Sequence, residues 1–277
     1  MKIRFTAVTD IHNHQKNKAN KIGSEALRLV GKLIRNINEK PPAKRPLFLA
    51  ELGDRIIASG RKDKKGPVTD AFHQGQLTAL FNTLAVPLIS VDGNHDRLHL
   101  PPANVSTVHE FDGVTVIAWD PDVNITKPDG LTASTDDMKW LEDALAGAQW
   151  PCIVLSHVPL DNDSQDDENA KKLHEHAFSF YREGPEIRKI LESSGKVALC
   201  INGHRHCERQ RPINGIWYLT LQSLVQNHRK NDAYTGKPTS NYYDFDMDDN
   251  RIKVTKHGKG NRTFTLDMPR KYTSSPA

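Results

Sequence analysis

The chain has 277 residues, enough for one large domain or two small ones with a sizeable core. With 37% hydrophobic and 26% charged residues it does not have a disordered composition, and no apolar run approaches the roughly 18 residues of a membrane span. A net charge of +4 accommodates an anionic ligand without demanding nucleic acid, and three cysteines (Cys152, Cys200, Cys207) with no CxxC pair exclude a disulfide scaffold and a thiolate zinc module.

The opening residues 1–10 hold too short an apolar stretch for a secretory signal, so a cytoplasmic location with reduced thiols is expected. Ile3–Thr9 reads as a buried strand. Ser24 is expected to cap a helix to about Asn38, with Leu27, Val30, Ile34 and Ile37 on one face. Pro41, Pro42 and Pro46 end it. Leu47–Leu52 is the next strand, Ser59–Pro67 a basic loop, and 70–84 a helix burying Leu77, Leu80, Phe81 and Leu84. Leu88–Val91 and Val114–Trp119 are strands. Ser134 or Thr135 caps a helix ending near Ala146. Cys152–Ser156 is a strand, Asp161–Glu168 an acidic loop, and Pro185 opens a short helix through Glu192. Val197–Ile201 and Ile216–Leu221 are strands. The tail alternates in three further strand-like segments, around Tyr242–Met247, Ile252–Thr255 and Thr263–Leu266. Strand–helix alternation followed by sheet-like segments indicates an α/β fold with some antiparallel strands. No linker divides the chain, so a single domain over 1–270 with a frayed tail at 271–277 is expected.

Five of the apolar runs end alike. They lead into Asp10-Ile11-His12, Gly53-Asp54-Arg55, Asp92-Gly93-Asn94-His95-Asp96, His157, and Asn202-Gly203-His204-Arg205-His206. Ligand sites of open α/β sheets lie beyond the carboxyl ends of strands, so these five ends could converge. Two carboxylates, an amide oxygen and four imidazoles suit borderline divalent ions such as Mn, Fe, Zn or Ni, whereas a Ca or Mg site would be richer in oxygen. The set is large enough for two ions.

In this order, the segments resemble the five signature motifs of the calcineurin-like metallophosphoesterases over residues 1–206. Each motif alone is weak; the five together, each after a strand, are specific. The resemblance implies a four-layer αββα sandwich of two mixed sheets, the tail strands completing the second sheet. It implies that Asp10, His12 and His206 bind one metal, that Asn94, His157 and His204 bind the other, and that Asp54 bridges them. The ions would be Mn, Fe or Zn, with Mn and Fe ahead. The nucleophile would be a bridging hydroxide, and His95 would protonate the leaving alkoxide or donate to the phosphoryl oxygens. Asp96 would orient His95 and raise its basicity. The implied substrate is a small phosphodiester, a cyclic nucleotide or similar. The stretch from Asp10 to Asp96 is most similar to the cyclic-nucleotide phosphodiesterase and nucleotide pyrophosphatase branches. A phosphomonoesterase or a nucleotide pyrophosphatase is the alternative; a DNA nuclease or a metal-free scaffold ranks lower, and neither a membrane nor a nucleic-acid partner is expected.

Other residues carry weaker signals. His14 could reach the pocket or stand in solvent, and His99 could line its rim; the remaining histidines lack motif context. Arg61-Lys62-Asp63-Lys64-Lys65 reads as a solvated loop that could also steer anions. Tyr181 and Arg182 could form a cap, with packing at least as good a reading. Cys207 reads as an inert buried thiol. Ser194-Gly195-Lys196 lacks the rest of a P-loop.

Overall fold

Continuous apolar runs in the sequence become strands covered on both faces. In chain order the elements are β1 (Lys2–Val8), α1 (Ala26–Asn38), β2 (Leu49–Glu51), α2 (Gly66–Phe81), β3 (Leu88–Ser90), β4 (Thr107–Phe111) and β5 (Val114–Ala118). There follow β6 (Asn124–Thr126), β7 (Gly130–Thr132), α3 (Thr135–Gly147), β8 (Cys152–Leu155), α4 (Gly184–Ser193), β9 (Val197–Asn202), β10 (Arg209–Ile213) and β11 (Ile216–Thr220). The chain closes with β12 (Tyr242–Asp248), β13 (Arg251–His257) and β14 (Arg262–Asp267). The structure is a computed structural model and describes residues 2–14, 23–59, 64–122, 124–126, 130–162, 179–226 and 238–269. The basic run at 61–63, most of the acidic loop (163–168), His174, His176, His228 and the tail 271–277 lie outside the described residues.

Two six-stranded sheets form, in the orders β14-β13-β12-β1-β2-β3 and β10-β11-β9-β8-β5-β4. Both are mixed. β1, β2 and β3 run parallel, and β12 joins β1 antiparallel. β11, β9, β8 and β5 run parallel between antiparallel edges. The tail strands thus extend the sheet begun by β1, not the second sheet. The alternating burial of β12, with Tyr243, Phe245 and Met247 inward, matches the inner face of β1, where Phe5 stacks on Phe245 at 4.6 Å.

Three apolar clusters define four layers. One lies between the sheets, with Phe5, Phe48, Val116, Leu155 and Ile201. A second packs α3 and α4 on the outer face of the second sheet through Leu141, Leu145, Ile187 and Leu191. The third packs α1 and α2 on the first sheet through Leu29, Leu33, Ile37 and Leu77. This is the expected αββα sandwich.

Several local expectations shift. Ser24 lies in a short 3-10 turn, and Glu25 takes the cap position of α1 without a side-chain bond. α2 starts at Gly66, with Pro67 in its first turn; its buried face includes Asp70 and His73, which an apolar pattern does not reveal. Ser134 does cap α3, in a reciprocal capping box with Asp137.

Candidate metal centre

The five motif segments are tied to one another by backbone bonds. Asp10 and His12 donate their N–H groups to the carbonyls of Gly53 (3.0 Å) and Asp54 (2.9 Å), and Gly203 donates to His157 (3.0 Å). The His204 N–H reaches Asp10 Oδ2 at 3.0 Å, and the His95 N–H reaches Asp54 Oδ1 at 2.8 Å. Asp10, His12, Asp54, His204 and His206 all have positive φ, between 49° and 67°. Left-handed backbone costs about 1–3 kcal/mol per non-glycine residue and persists where the surroundings enforce it. Five such residues gather in one crevice, which makes it the candidate site.

The side chains fall into two groups. The ligand atoms of Asp10, His12 and His206 lie within 4.8 Å of one another, as do those of Asp54, His157 and His204. Asp54 faces both groups: its Oδ2 is 3.8 Å from His12 Nε2 and 3.4 Å from His157 Nε2. Asn94 Oδ1 stands 3.2 Å from His157 Nε2. All seven expected ligands are therefore brought together.

The donor atoms fit a pair of divalent transition ions. His12 Nε2 and His206 Nε2 face each other at 2.8 Å, and His157 Nε2 faces His204 Nδ1 at 3.3 Å. His157 donates from Nδ1 to the Leu52 carbonyl at 2.7 Å, which aims Nε2 at the cluster, where a bound ion would take the place of its proton. Asp10 Oδ1 is buried and faces the cluster, with His206 Nε2 at 3.0 Å and His12 Nε2 at 3.7 Å. Burial opposes ionisation of Asp10, but the imidazoles of His206 and His157 hold its carboxyl well below the carboxylate range. Burial likewise opposes Asp54, yet His157 and His95 hold it well below the usual value. Burial and the His206 imidazole push His12 down to about 3. Burial disfavours the charged form of His157, but Asp54 outweighs it and lifts the group to about 10. Anionic carboxylates beside a neutral His12 are ready for coordination.

His95 is half-buried, its ring edge-on to His12 with centroids 5.3 Å apart, and its Nδ1 receives the Ala58 N–H at 3.4 Å. Asp96 does not orient this ring as expected. Its carboxylate accepts the backbone N–H groups of Gly93 (2.8 Å) and Arg55 (3.0 Å), clamping two motif loops together. Arg55 turns inward to Asp92, Glu51 and Asp96 and is buried.

Three supporting side chains were missed in the sequence. Thr9 Oγ1 donates to Asp10 Oδ2 at 2.7 Å. Ser223 Oγ donates to the Asp10 carbonyl at 2.7 Å, and the Gln226 amide meets His206 Nδ1 at 3.2 Å. The last two follow β11, a sixth strand that ends in polar residues at the same edge. Tyr181 is core, packed 5.5 Å from Trp119, not a cap. His99 braces the loop at Ser59 (2.8 Å to its carbonyl), His14 is buried, and Cys207 is buried and outside any disulfide. Among the described residues no helix is long and apolar enough to cross a membrane.

A fold of two helix-covered mixed sheets, with Asp, Asn and His side chains gathered at the strand ends, is that of the calcineurin-like phosphoesterases. The sequence profile described as calcineurin-like phosphoesterase matches residues 3–208, and the chain belongs to that family. Among solved structures it is similar to a dimetal phosphatase from Danio rerio, at 13% identity and TM-score 0.69, over 96% of this chain and 99% of that one. It is also similar to GAP50, the anchor in the inner membrane complex of Plasmodium, at 13% identity and TM-score 0.56, over 99% and 90%. At such identities the likeness is one of fold. No curated protein sequence matches the chain closely enough to count as a relative.

Proposed function

We propose that the chain hydrolyses a small phosphodiester with two divalent metal ions. The observation that supports this most is the Asp54 carboxylate facing both ligand groups. Asp10, His12 and His206 would hold one ion, Asn94, His157 and His204 the other, and Asp54 both. A pair of ions so held supplies Lewis acidity toward phosphoryl oxygens and acidifies water to a nucleophile at neutral pH. The mixed oxygen and imidazole donors suit Mn, Fe or Zn.

The chain's own residues do the rest. Asp54 Oδ1 fixes the His95 backbone, and Ala58 holds the ring at Nδ1, which leaves Nε2 for the substrate. From there His95 delivers a proton to the departing oxygen. Asp96 keeps the loops of Gly93 and Arg55 in register beneath it. An ester with a poor alkoxide leaving group gains most from such a donor, and a singly charged diester matches a weakly positive centre, which favours a diester over a monoester. A panel of Mn-loaded turnover on bis-p-nitrophenyl phosphate, p-nitrophenyl phosphate, cyclic nucleotides and a dinucleoside pyrophosphate tests the reading. Higher kcat/KM on the diesters is expected. Preference for the monoester would make the chain a phosphomonoesterase, and no turnover of any ester would overturn the reading.

A further inference from the structure

Between the two sheets the apolar core is interrupted by a charge. Lys256 on β13 stands opposite Tyr243 of β12, whose ring belongs to the inter-sheet cluster, and is only 6% exposed. Its Nζ donates to Gln222 Oε1 at 2.6 Å and pairs with Glu208 Oε2 at 2.9 Å. Both partners lie on connections of the second sheet: Glu208 just before β10, and Gln222 just after β11. The neighbouring tail strands add to the same contact. The Tyr243 hydroxyl accepts the Gln222 N–H at 3.2 Å, and Arg262 Nε of β14 donates to Glu208 Oε1 at 3.0 Å.

Both connections lead to one group of candidate ligands. Glu208 is two residues past His206 in the chain. Gln222 precedes Ser223, whose hydroxyl holds the Asp10 carbonyl, and Gln226, whose amide meets His206 Nδ1. In the other group, His157 is held from the Leu52 carbonyl instead. A lysine is almost never buried unless it is paired, and an apolar side chain would fill the space between two sheets without desolvating a cation. The ammonium fixes a geometry that an apolar contact does not.

We propose that Lys256 is a positioning residue for one ion of the pair: by tying Glu208 to Gln222 it sets Asp10 and His206 at coordination distance, and it does not act on the ion of Asn94, His157 and His204. This rests on the paired-ion reading and adds to it a residue far beyond the last motif in the chain.

Calorimetric titration of the chelator-stripped full chain with Mn tests this, because it reads binding and not turnover. Lys256→Met is expected to weaken one of the two binding steps about tenfold, the scale on which the outer partners of metal ligands act, and to leave the other within about threefold. Lys256→Arg, which keeps the charge and its donors, recovers most of the loss. The affected ion is assigned by repeating Lys256→Met in two backgrounds. With His157→Ala the remaining ion, on Asp10, His12 and His206, is weakened; with His12→Ala the remaining ion is not. Should Lys256→Met fail to fold, Gln222→Met, which leaves the Lys256–Glu208 pair in place, carries the same comparison. Equal weakening of both steps is what a merely structural role gives, and it overturns the proposal, as does no weakening of either. Two Mn ions bound by the unaltered chain with no such split overturn the positioning role alone. No Mn bound by the unaltered chain overturns the paired-ion reading and the positioning role with it.

Discussion

His95 is held at its backbone by Asp54 and at its ring by Ala58, so its contribution is one of placement as much as of chemistry. His95→Ala should slow hydrolysis of esters with poor leaving groups by about 10²–10⁴-fold and leave good leaving groups far less affected, with metal content retained. Rates across a series of substituted phenyl and alkyl diesters would show it; equal slowing of all members would remove the proton-donor role. Glycine matters where loops touch. A Cβ on Gly203 would strike Thr9 Oγ1 and lie 2.5 Å from Asp10 Oδ2. Gly203→Ala should therefore displace Asp10 and lower kcat/KM by about 10²-fold, the penalty of an ångström-scale misplacement, and it should weaken metal retention measured by elemental analysis. The seven candidate ligands are legible because each is an Asp, Asn or His that follows an apolar run. Adjacency in sequence does not reveal where the Asp96 carboxylate turns; here it accepts the N–H groups of Gly93 and Arg55. Ser223 and Gln226 stayed hidden because serine and glutamine carry no metal-ligand signal of their own.

Elements with an unbroken apolar run or a helical stripe were readable, and those defined by pairing were not. β9 is buried at all six positions, and α1 buries Leu29, Val30, Leu33, Ile34 and Ile37 at helical spacing. β4 has no apolar run of its own and is defined by pairing: Asp112-Gly113, with Gly113 at φ 74°, joins it to β5 as a two-residue hairpin turn. β10 reads as polar sequence with a proline, tolerable only because it is an edge. Just beyond β5, Asp120 accepts the Asp92 N–H at 3.0 Å and pairs with Arg97 at 2.8 Å. Burial, reinforced by the Asp92 charge, lifts its carboxyl to about 7 from an ordinary 3.8. A carboxyl raised in the folded state favours folding below about 3.8, and that contribution is lost as pH rises through about 7. Asp120→Asn should therefore shrink the difference in urea midpoint between pH 5 and pH 8. An unchanged difference would show that Asp120 is not the titrating group.

For the molecule as a whole, the two sheets bring both ends of the chain into one structure, since β1 pairs with β2 on one side and β12 on the other. Two buried carboxylates, Asp10 and Asp54, stand among the strained segment ends, and bound cations would stabilise them. Ions that bind only the folded state stabilise it by mass action, so saturating Mn should raise the thermal midpoint. Asp54→Asn should abolish most of that rise, because its carboxylate faces both candidate ligand groups; a full rise in the variant would show that Asp54 bridges nothing. The most direct measurement is a metal titration. Chelator-stripped protein is titrated with Mn while bound metal and bis-p-nitrophenyl phosphate hydrolysis are followed together. Activity is predicted to be absent at the start and to reach its plateau at two bound ions per chain. Full hydrolysis by the stripped protein, or a plateau with one ion bound, would contradict a paired-ion centre.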